Sequence, residues 1–117
     1  MAGLIAGLGG KPVLGYAVLK GGDFLREEIN QLLEREGNSN VSNWDIETQY
    51  HFGGYGTTSP ELNRFIFSFE QQYGIPLEHV YTGKVAYGVL DQVGKGRFSK
   101  GSTILMLHTG GLQGKIR

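Results

Sequence analysis

The residue pattern predicts an α/β fold, a mainly parallel sheet flanked by helices. Two apolar runs, residues 13–19 (VLGYAVL) and 103–107 (TILML), lack the alternation of a half-exposed strand and predict strands buried on both faces. Stripes of apolar residues at helical spacing lie between them, and alternation of this kind argues for parallel strands joined by right-handed crossovers. Glycine, twenty of 117 residues, gathers at segment ends, which suits tight turns better than disorder.

In order, residues 2–8 carry Leu4, Ile5 and Leu8 on one helical face closed by Gly9-Gly10, with no N-cap before Ala2. The run 13–19 follows, between Pro12 and Lys20-Gly21-Gly22. Asp23 predicts an N-cap, and Leu25, Ile29, Leu32 and Leu33 one face of a helix ending near Glu36-Gly37. Residues 38–43 form a polar loop. In residues 44–50, Trp44, Ile46 and Thr48 alternate with Asp45, Glu47 and Gln49, predicting a more exposed strand. Residues 51–59 (HFGGYGTTS) form a glycine- and aromatic-rich loop. Thr58 and Glu61 suit a capping box with Pro60 in the first turn; Leu62, Phe65, Ile66, Phe69 and Tyr73 then stripe a helix stopped by Gly74. Ala86, Val89, Leu90 and Val93 line the next helix, and 103–107 the last strand.

The length suits a single domain, with no internal repeat or linker. Eleven acidic and eleven basic residues balance, so no global field draws nucleic acid or an anionic membrane. No apolar run approaches a membrane span of about 18 residues. Residues 1–8 lack a basic leader region, leaving the cytoplasm as the expected compartment. Cysteine is absent, and His51, His79 and His108 show no metal-ligand spacing, so no metal site is expected. G-x-S-x-G, Walker and G-x-G-x-x-G turns are absent too, the last arguing against a dinucleotide-binding domain.

Residues 79–114 hold the more informative features. A Tyr81-Thr82-Gly83-Lys84 turn opens one helix, and His108-Thr109-Gly110-Gly111 follows the last strand. Such turns can meet at the carboxyl edge of an open sheet, where ligands bind. Thr82 can cap backbone amides or bond a ligand, Thr109 and its glycines can present free amides, and Tyr55 can donate a phenolic proton. Ordinary turn chemistry with packed tyrosines accounts for the same residues.

AGLIAGL, GYAVLKGGDFL, GGYG, VYTGK and ILMLHTGGLQG, in this order across nearly the whole chain, resemble the C-terminal part of the pyridoxal-phosphate enzymes that include D-cysteine desulfhydrase and 1-aminocyclopropane-1-carboxylate deaminase. VYTGK and HTGG at their separation are the specific pair. The resemblance implies a fold-type II enzyme of the tryptophan-synthase-β-like group, cytoplasmic and homodimeric when complete, of which residues 1–117 form a single partial domain. It implies pyridoxal 5'-phosphate as cofactor, a small amino acid as substrate, and an α,β-elimination that turns D-cysteine into pyruvate, ammonia and hydrogen sulfide. Tyr81 resembles the family's active-site tyrosine and Tyr55 the second tyrosine near the substrate. Thr82 resembles the residue facing the pyridine nitrogen, where threonine marks the desulfhydrase branch and glutamate the deaminase branch. Thr109 and Gly110 resemble the wall beside that nitrogen. The family's Schiff-base lysine and phosphate turn lie upstream of the AGLIAGL helix. None of the six lysines here sits in that lysine's context; Lys84 belongs to the YTGK turn. The resemblance therefore implies a chain inactive by itself and either of low stability, self-associating or in need of the missing part. The alternatives are 1-aminocyclopropane-1-carboxylate deaminase activity, or a non-catalytic α/β binding module.

Overall fold

The computed structural model describes residues 1–9, 11–37 and 43–114, so Gly10 and most of the expected loop at 38–43 lie outside the described residues. The elements are α1 (Ala2–Gly7), β1 (Val13–Tyr16), α2 (Phe24–Arg35), β2 (Trp44–Glu47), α3 (Pro60–Tyr73) and α4 (Thr82–Gly94), then a short 3₁₀ turn at Leu112–Gly114.

β1 and β2 pair in parallel, Val13 opposite Trp44 and Tyr16 opposite Glu47, with α2 as the crossover that a parallel pair requires. Both strands are shorter than the sequence predicts. β1 is half-buried, not enclosed on both faces. Its side chains divide by the two-residue period of a strand. Val13 and Ala17 join Ile46 and Trp44 in an apolar cluster with Ala2 and Ile5 of α1 and Ile29 and Leu33 of α2. Tyr16 points the other way and meets Gln92 of α4. The sheet is thus sandwiched between α1 with α2 and α4, and α3 packs on α4 through a second cluster of Leu62, Ile66, Phe69, Leu77 and Ala86.

The ends of α3 follow from local chemistry, although its cap differs from the expected Thr58–Glu61 box. Pro60 starts the helix and disfavours a helical conformation before it, so Ser59 is extended and its Oγ accepts from Leu62 N–H at 3.1 Å. Thr58 donates instead to Asn63 Oδ1, and Glu61 accepts from Tyr87. Gly74 ends the helix at φ 68°, a left-handed cap that suits glycine. Asp23 occupies the cap position of α2 but is itself helical and makes no side-chain cap bond, because a turn at residues 21–23 already leads into the helix.

The expected strand at 103–107 does not form. Leu105 is 91% exposed, and only Met106 turns onto the second apolar cluster. An apolar run becomes a buried strand only beside a strand with which to exchange backbone hydrogen bonds, and the described sheet contains β1 and β2 alone. The apolar stripes are also narrower than predicted: Leu32, Tyr73, Leu90 and Val93 are exposed. On α4 the buried face is instead Thr82, Gly83, Lys84, Ala86, Gly88, Val89 and Gln92.

Candidate functional site

The start of α4 organises the site. Glu78, 1% exposed, folds its carboxylate over the first turn. Oε1 accepts from Tyr81 N–H at 2.8 Å and Thr82 N–H at 2.6 Å, and Oε2 accepts from Val80 N–H at 2.5 Å. The Glu78 carbonyl takes Gly83 N–H at 2.7 Å. These are the amides a helix start leaves without intrahelical acceptors, and an anion there also meets the positive end of the helix dipole. The approach is so close that a Cβ on Gly83 would lie 2.5 Å from the Glu78 carbonyl oxygen.

Thr82 is the first helical residue and is turned inward. Its Oγ1 accepts from Glu78 N–H at 3.0 Å and donates to Glu78 Oε1 at 3.2 Å. A hydroxyl has one proton and two lone pairs. After these bonds one lone pair remains for a ligand, so Thr82 can accept from a protonated ring nitrogen as it stands. To donate to a neutral one it must release Glu78.

Lys84, two residues on, is wholly buried. Its ammonium donates to the carbonyls of Gly54, at 2.9 Å, and Val18, at 3.3 Å. Burial pushes its pKa below the ordinary lysine value, opposed by the negative charge of Glu78.

The two tyrosines singled out from the sequence meet. Tyr55, on the glycine-rich loop, and Tyr81, at the N-cap of α4, share a hydrogen bond of 2.6 Å between their phenol oxygens, with their rings edge to face. Both are open to solvent, at 61% and 44%. The bond to Tyr55 raises the Tyr81 pKa, helped by burial and by the charges of Tyr55 and Glu78. Tyr81 therefore keeps its proton at neutral pH, and either oxygen can be the donor of the shared bond.

The second turn is joined to the first at its outer end. His108 Nε2 lies 2.9 Å from the Pro76 carbonyl, and Gly110 N–H donates to His108 Nδ1 at 3.0 Å. Thr109 is exposed, and no hydrogen bond among the described residues joins it to Thr82. The exposed phenols and the remaining Thr82 lone pair are groups that can bond a substrate or the ring nitrogen of a cofactor. No group of three metal-ligating side chains occurs among the described residues, and no described helix is long and apolar enough to cross a membrane.

Glu78 and Lys84 were not legible as site residues. An acid four residues before the first helical position is a faint cap signal, whereas both partners of Lys84 lie at least 30 residues away.

Comparison with known proteins agrees with the motifs. The chain is 35% identical over 105 residues to a candidate 1-aminocyclopropane-1-carboxylate deaminase of Pyrococcus furiosus, covering 86% of this chain and 31% of that protein. A protein of the same name from Pyrococcus abyssi is 33% identical over 106 residues, 87% of this chain and 32% of that protein. D-cysteine desulfhydrase of Klebsiella pneumoniae is 34% identical over 87 residues, 74% of this chain and 26% of that protein. The chain belongs to the family of these deaminases and desulfhydrases and spans about a third of the length of the relatives it matches. No family model matches it, and no solved structure matches it.

Proposed function

We propose that this chain carries the substrate-facing, C-terminal part of a pyridoxal-phosphate-dependent enzyme that eliminates a β-substituent from a small amino acid, D-cysteine above 1-aminocyclopropane-1-carboxylate. The observation that carries the proposal is the 2.6 Å bond between the Tyr55 and Tyr81 phenols, from residues 26 apart that both resemble active-site positions of the family.

The cofactor, when bound, supplies an electron sink for the pair left as the substrate's α-proton departs. Thr82 and Thr109, with Gly110, would face its ring. Tyr81 holds a proton at neutral pH and can deliver it to the departing thiolate or hold the substrate amine, with Tyr55 replenishing it across the shared bond. Threonine at position 82 supports the desulfhydrase branch, since its hydroxyl leaves the ring nitrogen more weakly bonded than a glutamate would. On this reading the covalent lysine and phosphate cradle come from the portion of the family fold that this chain does not span.

The test is a chimera in which this chain replaces the matching stretch of the Klebsiella pneumoniae desulfhydrase. The chimera is expected to release sulfide and pyruvate from D-cysteine, and Tyr81→Phe to lower turnover by about a hundredfold, typical of losing a positioned proton donor. The 117-residue chain alone is expected to form no lysine-dependent absorbance band with pyridoxal phosphate. A chimera that binds the cofactor and is indifferent to Tyr81→Phe overturns the reading.

A further inference from the structure

The glycine-rich loop that presents Tyr55 is anchored at its start, where Phe52 packs on the Tyr87 ring and Gly53 N–H donates to His51 Nδ1 at 3.0 Å, but Tyr55 at its tip is 61% exposed. Gly53, Gly54 and Gly56 have φ values of 103°, 141° and 70°, conformations that cost glycine little to adopt and as little to leave. Tyr55 packs edge-on against Tyr81 and is otherwise largely in solvent. A single exposed hydrogen bond between two phenols contributes little by itself to fixing where a loop with three such glycines places Tyr55.

A separate tether reaches the loop from α4. The Gly54 carbonyl, immediately before Tyr55, accepts from Thr57 N–H at 3.1 Å within the loop and from Lys84 Nζ at 2.9 Å across 30 residues. Lys84 is one helical turn from Tyr81, so the helix end that carries one phenol also carries the cation that places the other. Its bond to the Val18 carbonyl ties both to the end of β1. Burying an ammonium is costly, and stability alone gives little reason to bury one on a helix whose opposite side leaves Leu90 and Val93 in solvent. The same burial and occupied donors make Lys84 unsuitable as a covalent anchor.

We propose that Lys84 is the positioning residue of the tyrosine pair: its buried ammonium grips the Gly54 carbonyl and so sets the Tyr55 phenol against Tyr81. The proposal rests on the reading above for the meaning of the pair, but not for its geometry. Holding Tyr55 at hydrogen-bond distance keeps the donor replenished and fixes where a substrate's leaving group can sit.

The experiment needs neither cofactor nor substrate. Phenol titration of the 117-residue chain by NMR follows Tyr81, and Tyr55→Phe sets the shift caused by losing the shared bond. Lys84→Met is expected to lower the Tyr81 titration by a similar amount, with far-ultraviolet circular dichroism and Trp44 emission unchanged. The chain lacks cysteine, so Lys84→Cys can be aminoethylated specifically under denaturing conditions and refolded, which is expected to restore the late titration. An unchanged Tyr81 titration in Lys84→Met overturns the proposal. So does the lack of any NMR correlation between the Lys84 ammonium and the Gly54 carbonyl in the unaltered chain, a measurement that decides the matter if the variants do not fold. A clamp found in the chain, with Tyr55→Phe and Tyr81→Phe both harmless in the chimera, removes the catalytic reading and leaves the clamp standing.

Discussion

Helix α3 buries Leu62, Ile66 and Phe69, an apolar stripe at helical spacing, whereas its neighbour α4 buries Thr82, Lys84 and Gln92 beside Ala86 and Val89 and leaves Leu90 and Val93 exposed. The difference follows from what each helix faces. The buried face of α3 meets apolar groups: Leu77, Ala86 and the rings of Phe52 and Tyr87. α4 lies between α3 and the sheet, and there it meets carbonyls, a carboxylate and phenols. Each buried polar side chain on it has found a partner: Thr82 with Glu78, Lys84 with Gly54 and Val18, and Gln92 with Tyr16 and Glu47. A buried polar group is tolerable when its hydrogen bonds are met. α3 holds its place by packing, and α4 by specific bonds that also shape a site.

The contrast can be broken most severely at the polar helix. Glu78→Ala strands the amides of residues 80–82 and leaves Lys84 without its facing charge, so it is expected to cost roughly 4 kcal/mol in urea unfolding. On the apolar helix, Leu62→Ala removes a side chain that is 0% exposed and is expected to cost about 3 kcal/mol. The Tyr55–Tyr81 bond should survive Leu62→Ala but not Glu78→Ala, which the phenol titration distinguishes. Gly88→Ala places a Cβ 2.6 Å from the Tyr16 ring. It should cost about 2 kcal/mol, by displacing that ring, despite alanine's better helix propensity. Tyr16→Phe loses only the 2.6 Å bond to Gln92 and should cost about 1 kcal/mol.

Alkaline pH sharpens the contrast last. The Lys84 pKa is lowered in the folded chain, so as pH rises through it toward the unfolded value the folded state sheds this proton first and stability rises. Burial holds the Tyr16 phenol up to about 12, and the bond to Glu61 holds Tyr87 at about 12. Above the unfolded tyrosine value of 10.0 the unfolded chain loses phenol protons first, and stability falls. Denaturant titrations across this range should show a rise and then a fall, and Lys84→Met should erase the rise while keeping the part of the fall that Tyr16 and Tyr87 supply.

Much of α3 was legible in the residues. Pro60, the apolar stripe and Gly74 each carry a local instruction; the cap moved from Thr58 to Ser59, and Tyr73 left the buried stripe. The parallel pairing and its crossover helix were legible from the order of elements. Strand extent was not: the apolar runs at 13–19 and 103–107 look alike, yet the first has a partner in β2 and the second has no strand beside it among the described residues. Tyr55 and Tyr81 were found through motif resemblance, but their contact was not, because nothing local in a GGYG loop says where its phenol will go.

By itself, then, the sequence determined the helices, their stops, the parallel order and the family. Those follow from side-chain periodicity, from proline and glycine stereochemistry, and from motifs of a few adjacent residues. The tertiary structure alone decided that α4 buries its polar face, that Glu78 caps it and that Lys84 reaches across to the Tyr55 loop. Burial of a charge depends on partners brought from 30 and 66 residues away, and no pattern of neighbouring residues encodes a distance of that kind.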